Sequence, residues 1–259
     1  MAFWFIIGWG GNYYKPSLSE YWKLTAKSDK RADSVALVQF HQTLTDRLNT
    51  LAPRYRQLQP KEVNELARSW YKAFTNCPDK DALLIKATLF APFMERLGID
   101  GYYNPFTGEG QINSNLPGFM LPFLHSHEMA HQAGIAVEED ANLLAYALGT
   151  LTGEPSFNYS ATLNIWLYTN ARVSRRDSIL GKACRARLNS LTKAHLDTLD
   201  DLAEKYDNAA ARASTRVYDD FLKANNQKSG VRGYGNVSRS ARLWEEKVKR
   251  EGRKIIRLP

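Results

Sequence analysis

Apolar residues recur at three- and four-residue steps over most of this chain, which is the spacing of one face of an α-helix. Between Asp33 and Pro53 the positions Val35, Val38, Leu44, Leu48 and Leu51 keep that step, with Asp33 or Ser34 available as an N-cap. A second stripe, Val63, Leu66, Trp70 and Phe74, runs from Pro60 to Cys77-Pro78. Leu83 to Leu97 is apolar but carries Pro92 and stops at Gly98, so it is predicted to bend or to begin as extended chain. Residues 101–113 change character: turn formers mix with aromatic residues, as in a short β-hairpin. Further helices are predicted from Pro117-Gly118 to Gly134, Glu138 to Leu148, Ser156 to Arg175, Leu180 to Tyr206 and Ala209 to Ala224. Past Asn226 the stripe fades into a loop with Gly230, Gly233 and Gly235, then a charged terminal helix. The expected fold is mainly α, one domain with a small β-hairpin.

Composition narrows this picture. With 259 residues, 44% hydrophobic and 24% charged, the chain is composed like a folded protein and is large enough to bury a core without disulfides. Cys77 and Cys184 lie far apart with no C-x-x-C spacing, which argues against a cysteine zinc site. No run approaches the roughly 18 apolar residues that span a bilayer. Residues 2–9 (Ala-Phe-Trp-Phe-Ile-Ile-Gly-Trp) fit two readings: a packed terminal element, or the end of a membrane segment, with Trp9, Tyr13 and Tyr14 beside Lys15 resembling an interfacial belt. The net charge of +8 is concentrated from Lys228 to Pro259, where ten Lys/Arg face three Asp/Glu. The body is close to neutral, so no nucleic-acid partner is expected, and the glutamates interspersed in the tail predict a solvated helix. The expected organisation is an apolar segment over 1–12, a domain over 13–227 and a basic tail over 228–259.

The chemistry concentrates at His127-Glu128-Met129-Ala130-His131, an H-E-x-x-H motif inside a predicted helix. Residues four apart share a helix face, so both imidazoles can bind one Zn²⁺, while Glu128, about 100° round the axis, is placed to hold a water as general base. A catalytic zinc takes three protein ligands and leaves one position open. On a straight helix Glu138 would lie about 10 Å beyond His131, too far to share its metal. Gly134 can end the helix and let the next one fold back. On that second helix Glu138, Ala141, Asn142 and Ala145 share one face, so Glu138 is preferred as third ligand over Glu139 and Asp140, which point elsewhere. Asn142 is then placed to orient a ligating histidine, or else is an ordinary surface amide.

The run Glu138-Glu139-Asp140-Ala141-Asn142 resembles the E-x-x-A-[DN] element that supplies the third ligand in gluzincin metallopeptidases. The longer stretch from Gly101-Tyr-Tyr-Asn-Pro-Phe-Thr-Gly-Glu-Gly-Gln-Ile-Asn through His125 to Gly134, Glu138 and Ala145-Tyr146 is similar to an uncharacterised bacterial family, a domain of unknown function read as zinc-dependent metallopeptidases. That family usually carries N-terminal transmembrane helices, and the similarity runs from about Tyr13 to Gly230. The resemblance implies a zincin-like helical domain with an edge strand beside the active-site helix, Zn²⁺ on His127, His131 and Glu138, Glu128 as catalytic base, a peptide or protein substrate and membrane association. It extends to no function for the segment after Gly230. The alternative is a non-catalytic membrane-associated or binding protein that keeps a structural or vestigial metal site.

Other residues invite plainer readings. His125 lies about 200° from His127 on the helix and should face away from the metal. His41 and His195 fall in amphipathic helices and are expected to be structural or solvated. Tyr102, Tyr103, Tyr146 and Tyr168 are the candidates for stabilising a developing oxyanion. The hairpin offers an edge strand that either aligns an extended peptide or simply covers the site.

Overall fold

The computed structural model describes residues 9–25, 30–77, 82–225, 227, 236–252 and 256–259. The apolar residues 2–8 and the glycine loop with Gly230, Gly233 and Gly235 lie outside them. The elements in chain order are α1 (Leu18–Tyr21), α2 (Lys30–Leu51), α3 (Pro60–Phe74), β1 (Ile85–Ala87), α4 (Ala91–Leu97), β2 (Gly101–Asn104), β3 (Glu109–Ile112), α5 (Leu121–Gln132), α6 (Glu138–Leu151), α7 (Pro155–Ser174), α8 (Ser178–Ala186), α9 (Ser190–Tyr206), α10 (Ala209–Ala224) and α11 (Val237–Glu251). The fold is mainly helical with a small three-stranded sheet. No helix among the described residues is long and apolar enough to cross a membrane.

The core is a stack of α2, α7, α6 and α5, in which α7 packs between α2 and α6 and α6 packs against α5. Trp166 of α7 is almost fully buried, and its indole N–H donates to Thr45 Oγ1 of α2 at 2.9 Å, so the polar edge of a large apolar ring is satisfied inside. At the α6–α7 crossing a Cβ on Gly149 would lie 2.5 Å from Ala161 Cβ. Only glycine permits that approach.

Several predicted boundaries shift for identifiable reasons. The stretch from Leu83 becomes strand and then helix, with Pro92 in the first turn of α4, where its missing N–H costs nothing. The predicted hairpin forms as β2–β3, and β1 joins it parallel to β3, giving the order β1-β3-β2 with β2 at the edge. The helix expected over 180–206 is two: Asn189 accepts from the Thr192 N–H at 2.9 Å and caps a new helix, an N-cap signal that outweighs the continuing apolar step.

The largest difference concerns the basic tail. Instead of a solvated helix, α11 buries one face, with Val237, Ala241 and Trp244 inside and Val248 packed against the core. Those residues lie four, three and four positions apart, a helical stripe hidden among charges. Trp244 packs against Trp22 with the two rings tilted and their centroids 4.9 Å apart. Glu245 receives a two-point bond from Arg47 at 2.5 and 2.8 Å and also accepts from the Tyr146 hydroxyl, tying α11 to α2 and α6. Beyond the helix, Ile256 bridges Thr75 and the Leu258 N–H donates to Asn76 Oδ1 at 2.6 Å.

Candidate metal centre

The site is built by one turn of chain. Helix α5 ends in a Schellman motif: Gly134, at φ +90°, donates its N–H to the His131 carbonyl at 2.9 Å, and the Ile135 N–H donates to the Ala130 carbonyl at 3.0 Å. A left-handed backbone at this position favours glycine. The motif brings Glu138, the first residue of α6, back onto the histidine pair. It also puts the Ile135 carbonyl 2.7 Å from His131 Nδ1, which fixes the proton on Nδ1 and leaves Nε2 with a free lone pair.

Three donor groups converge there. His127 Nε2 and His131 Nε2 are 3.2 Å apart, His127 Nε2 is 3.3 Å from Glu138 Oε2, and His131 Nε2 is 3.5 Å from Glu138 Oε1. In a tetrahedral site with metal–ligand bonds of about 2.0–2.1 Å, neighbouring donors lie about 3.3–3.4 Å apart. The three residues therefore form a group that can hold a metal ion. Glu128 stands beside it, buried, with Oε2 lacking any hydrogen-bond partner within the protein. An orphaned buried carboxylate oxygen next to a cation site suits a water between the two.

The strands make room for Glu128. A Cβ on Gly101 of β2 would fall 2.5 Å from Glu128 Oε1, and one on Gly110 of β3 would fall 2.5 Å from Ile85 Cδ1 and 3.4 Å from Glu128 Cβ. Both strands pack on α5 through these bare positions.

The electrostatics follow from burial and from the mutual approach of these charges. Burial pushes the Glu128 carboxyl up to about 8, against the pull of His127 and with help from the negative Glu138 and Asp100. Burial would also raise Glu138, but His131, His127 and Tyr218 together outweigh it and hold that carboxyl down at about 2. Burial lowers both imidazoles; at His127 the hydrogen bond and charge of Glu138 overturn the effect and its affinity for a proton rises, whereas His131 stays lowered. A carboxylate held ionised between two imidazoles is the electrostatic counterpart of a cation site.

Around this centre the remaining candidates separate. Asn142 is buried beside His127 and helps to raise that imidazole's affinity for a proton, while its Nδ2 and the His127 Nδ1 are both left without a hydrogen-bond partner. Glu139 turns away and accepts from Ser240 Oγ at 3.0 Å, and Asp140 is buried near the Leu18 backbone, away from the histidine pair. His125 faces away and bonds the Leu121 carbonyl at 2.8 Å through Nδ1. His41 is buried against Trp166, and His195 stacks on Phe119 and meets the Tyr159 hydroxyl at 2.8 Å. Among the tyrosines, Tyr146 is engaged with Arg47 and Glu245, and the Tyr102 hydroxyl donates to Gln111 Oε1 at 2.9 Å. Tyr103 lays its ring 6.4 Å from that of His131, and burial raises the pKa of Tyr168, helped by the nearby charges of Glu138 and Asp100.

Two contacts at the centre had no signal in the sequence. The Tyr218 hydroxyl of α10 donates to Glu138 Oε1 at 2.5 Å across 80 positions of chain, and Gln227 Oε1 accepts the Glu138 backbone N–H at 3.3 Å. Gly101 and Gly110 carry only a general signal, since glycine inside a strand marks a close backbone approach without naming what approaches.

The chain belongs to a family described as protein of unknown function (DUF3810), whose model matches residues 1–239. That span takes in the apolar N-terminal residues and the centre, and ends in the first turn of α11. No curated protein and no solved structure matches the chain.

Proposed function

We propose that this member of the family is a zinc-dependent metallopeptidase, in which His127, His131 and Glu138 hold Zn²⁺ and Glu128 is the catalytic base for hydrolysis of a peptide bond. The observation that carries the reading is the donor spacing, 3.2, 3.3 and 3.5 Å among three groups whose chemistry suits zinc. Imidazole and carboxylate donors accept other first-row metals as well, so the metal's identity is itself part of the test. Three ligands among the described residues, rather than four, favour a reactive site over a structural one.

When bound, Zn²⁺ supplies a Lewis acid that brings a water's pKa towards about 7 and polarises a carbonyl. The chain supplies the rest. Glu128 Oε2 takes the water's proton and returns it to the leaving amine, a role suited to a buried carboxylate oxygen that has no partner within the protein and stands beside the donor group. His131 is held in one tautomer by the Ile135 carbonyl, and the Asn142 amide lies beside His127, placed to orient it. The edge strand β2, packed on α5 beside Glu128, offers main-chain groups to an extended peptide.

The experiment is metal analysis of the purified chain with assay against a mixed peptide library, for wild type, His131→Ala and Glu128→Gln. The expected result is one zinc per chain in wild type and Glu128→Gln, little or none in His131→Ala, and hydrolysis reduced by about 10²–10⁴-fold in Glu128→Gln. Equal zinc in wild type and His131→Ala would refute the site. Undiminished hydrolysis in Glu128→Gln would remove Glu128 from the mechanism.

A further inference from the structure

Helix α10 differs from the helices under it. Asn208 caps it by accepting the Ala211 N–H at 2.9 Å, so it is well formed in itself, yet of its 16 residues only Leu222 is buried. Val217, Tyr218 and Phe221 are 71%, 38% and 40% exposed. Its neighbour among the helices is α4, where Ala211 sits beside Gly98. Towards the metal centre, Phe221 lies edge-on to Tyr13 with ring centroids 6.5 Å apart, and Tyr218 bonds Glu138.

The centre beside it is largely covered. His127, Glu128 and His131 are only 9%, 3% and 6% exposed, so a peptide main chain meets little of their surface while the covering elements are in place. Fuller access needs one of those elements to move, and α5 and α6 are the core itself. An element with few buried residues opens at the lowest free energy.

We propose that α10 is a lid over the metal centre, latched by the Tyr218 hydroxyl on Glu138, and that metal exchange and substrate entry proceed through its displacement from α4. The inference rests on the reading of His127, His131 and Glu138 as metal ligands. Because the latch takes a carboxylate oxygen of the third ligand, closing the lid and setting the ligand are one event. Tyr218 is a positioning residue in this scheme, acting through Glu138.

The lid can be locked. A Cβ on Gly98 would lie 3.6 Å from Ala211 Cβ, within the disulfide range of about 3.5–4.5 Å, so Gly98→Cys with Ala211→Cys tethers α10 to α4. The full-length double variant is loaded with zinc, challenged with excess EDTA and compared oxidised and reduced. Release is expected to be at least about tenfold slower when oxidised and to recover with dithiothreitol. Tyr218→Phe is expected to release zinc several-fold faster than wild type. Equal release from the oxidised and reduced forms overturns the proposal.

Gly98 has φ +66°, a left-handed backbone that strains a cysteine, so amide hydrogen exchange on the unmodified chain provides a second measurement. Amides in 213–224 are expected to exchange at least about 100-fold faster than those in 142–148. Equal protection in the two helices overturns the lid. Absence of zinc from wild-type protein would instead refute the metal reading, and hydrogen exchange would still decide whether α10 opens.

Discussion

Helices α6 and α10 are nearly equal in length and opposite in design. α6 is apolar nearly all round, and from Asp140 to Gly149 every residue is buried, including the amide of Asn142. α10 has a sharply divided apolar and polar face, yet a single residue of it is buried. Amphipathicity states which face a helix would bury; it does not state whether anything is there to bury it against. The polar residues of α6 and of its partner α5 are the informative ones, because a buried polar group is costly unless another group answers it. At Glu138, His127 and His131 the answers are one another.

That contrast can be broken experimentally, and stability is the first test. Leu144 is fully buried in α6, so Leu144→Ala should cost about 2–5 kcal/mol in denaturant unfolding; a loss under about 1 kcal/mol would mean the helix repacks freely and is not the core.

The buried polar side of the comparison can be sharpened through pH. His41 is fully buried with both ring nitrogens lacking partners, and burial drives its pKa down from 6.5 to about 4. The folded state then keeps it neutral while the unfolded chain takes up a proton below about 6.5. Stability from this residue is therefore complete above pH 6.5 and lost as pH falls towards 4, by about 3 kcal/mol over the window. The stability gap between wild type and His41→Phe should shift by that amount between pH 7 and pH 4. A gap independent of pH would show that His41 accepts a proton in the fold at no cost.

Asn142→Ala removes the amide beside His127 without touching a ligand, and should weaken zinc affinity by about 10–100-fold in competition with a chelator. Unchanged affinity would reduce Asn142 to packing. The smallest effect belongs to α10: Val217 is 71% exposed, and Val217→Ser should change stability by no more than about 0.5 kcal/mol. A larger loss would mean that this face is covered in solution and that α10 is less open than its burial indicates.

The two imidazoles of the centre were legible because their geometry is local: four positions on one helix fix their separation whatever the rest of the chain does. Gly134 was legible as a turn for the same reason. Choosing Glu138 over Glu139 and Asp140 needed one more step, that α6 folds back with its small residues inward, and Ala141 and Ala145 are indeed almost fully buried. The break at Asn189 and the buried stripe of α11 were also written in the sequence. Each was masked by a stronger neighbouring pattern, the continuing apolar step in one case and the run of lysines and arginines in the other.

The helical class, the turn at Gly134 and the register of two histidines follow from local order along the chain, because each depends on neighbours within a few residues. Long-range packing was needed to bring Tyr218 to Glu138, to set Gly101 and Gly110 against Glu128, and to pin the basic helix to the core through Arg47, Tyr146 and Glu245. Those contacts join segments that are distant in the chain, where no periodicity carries information and packing alone chooses the partner.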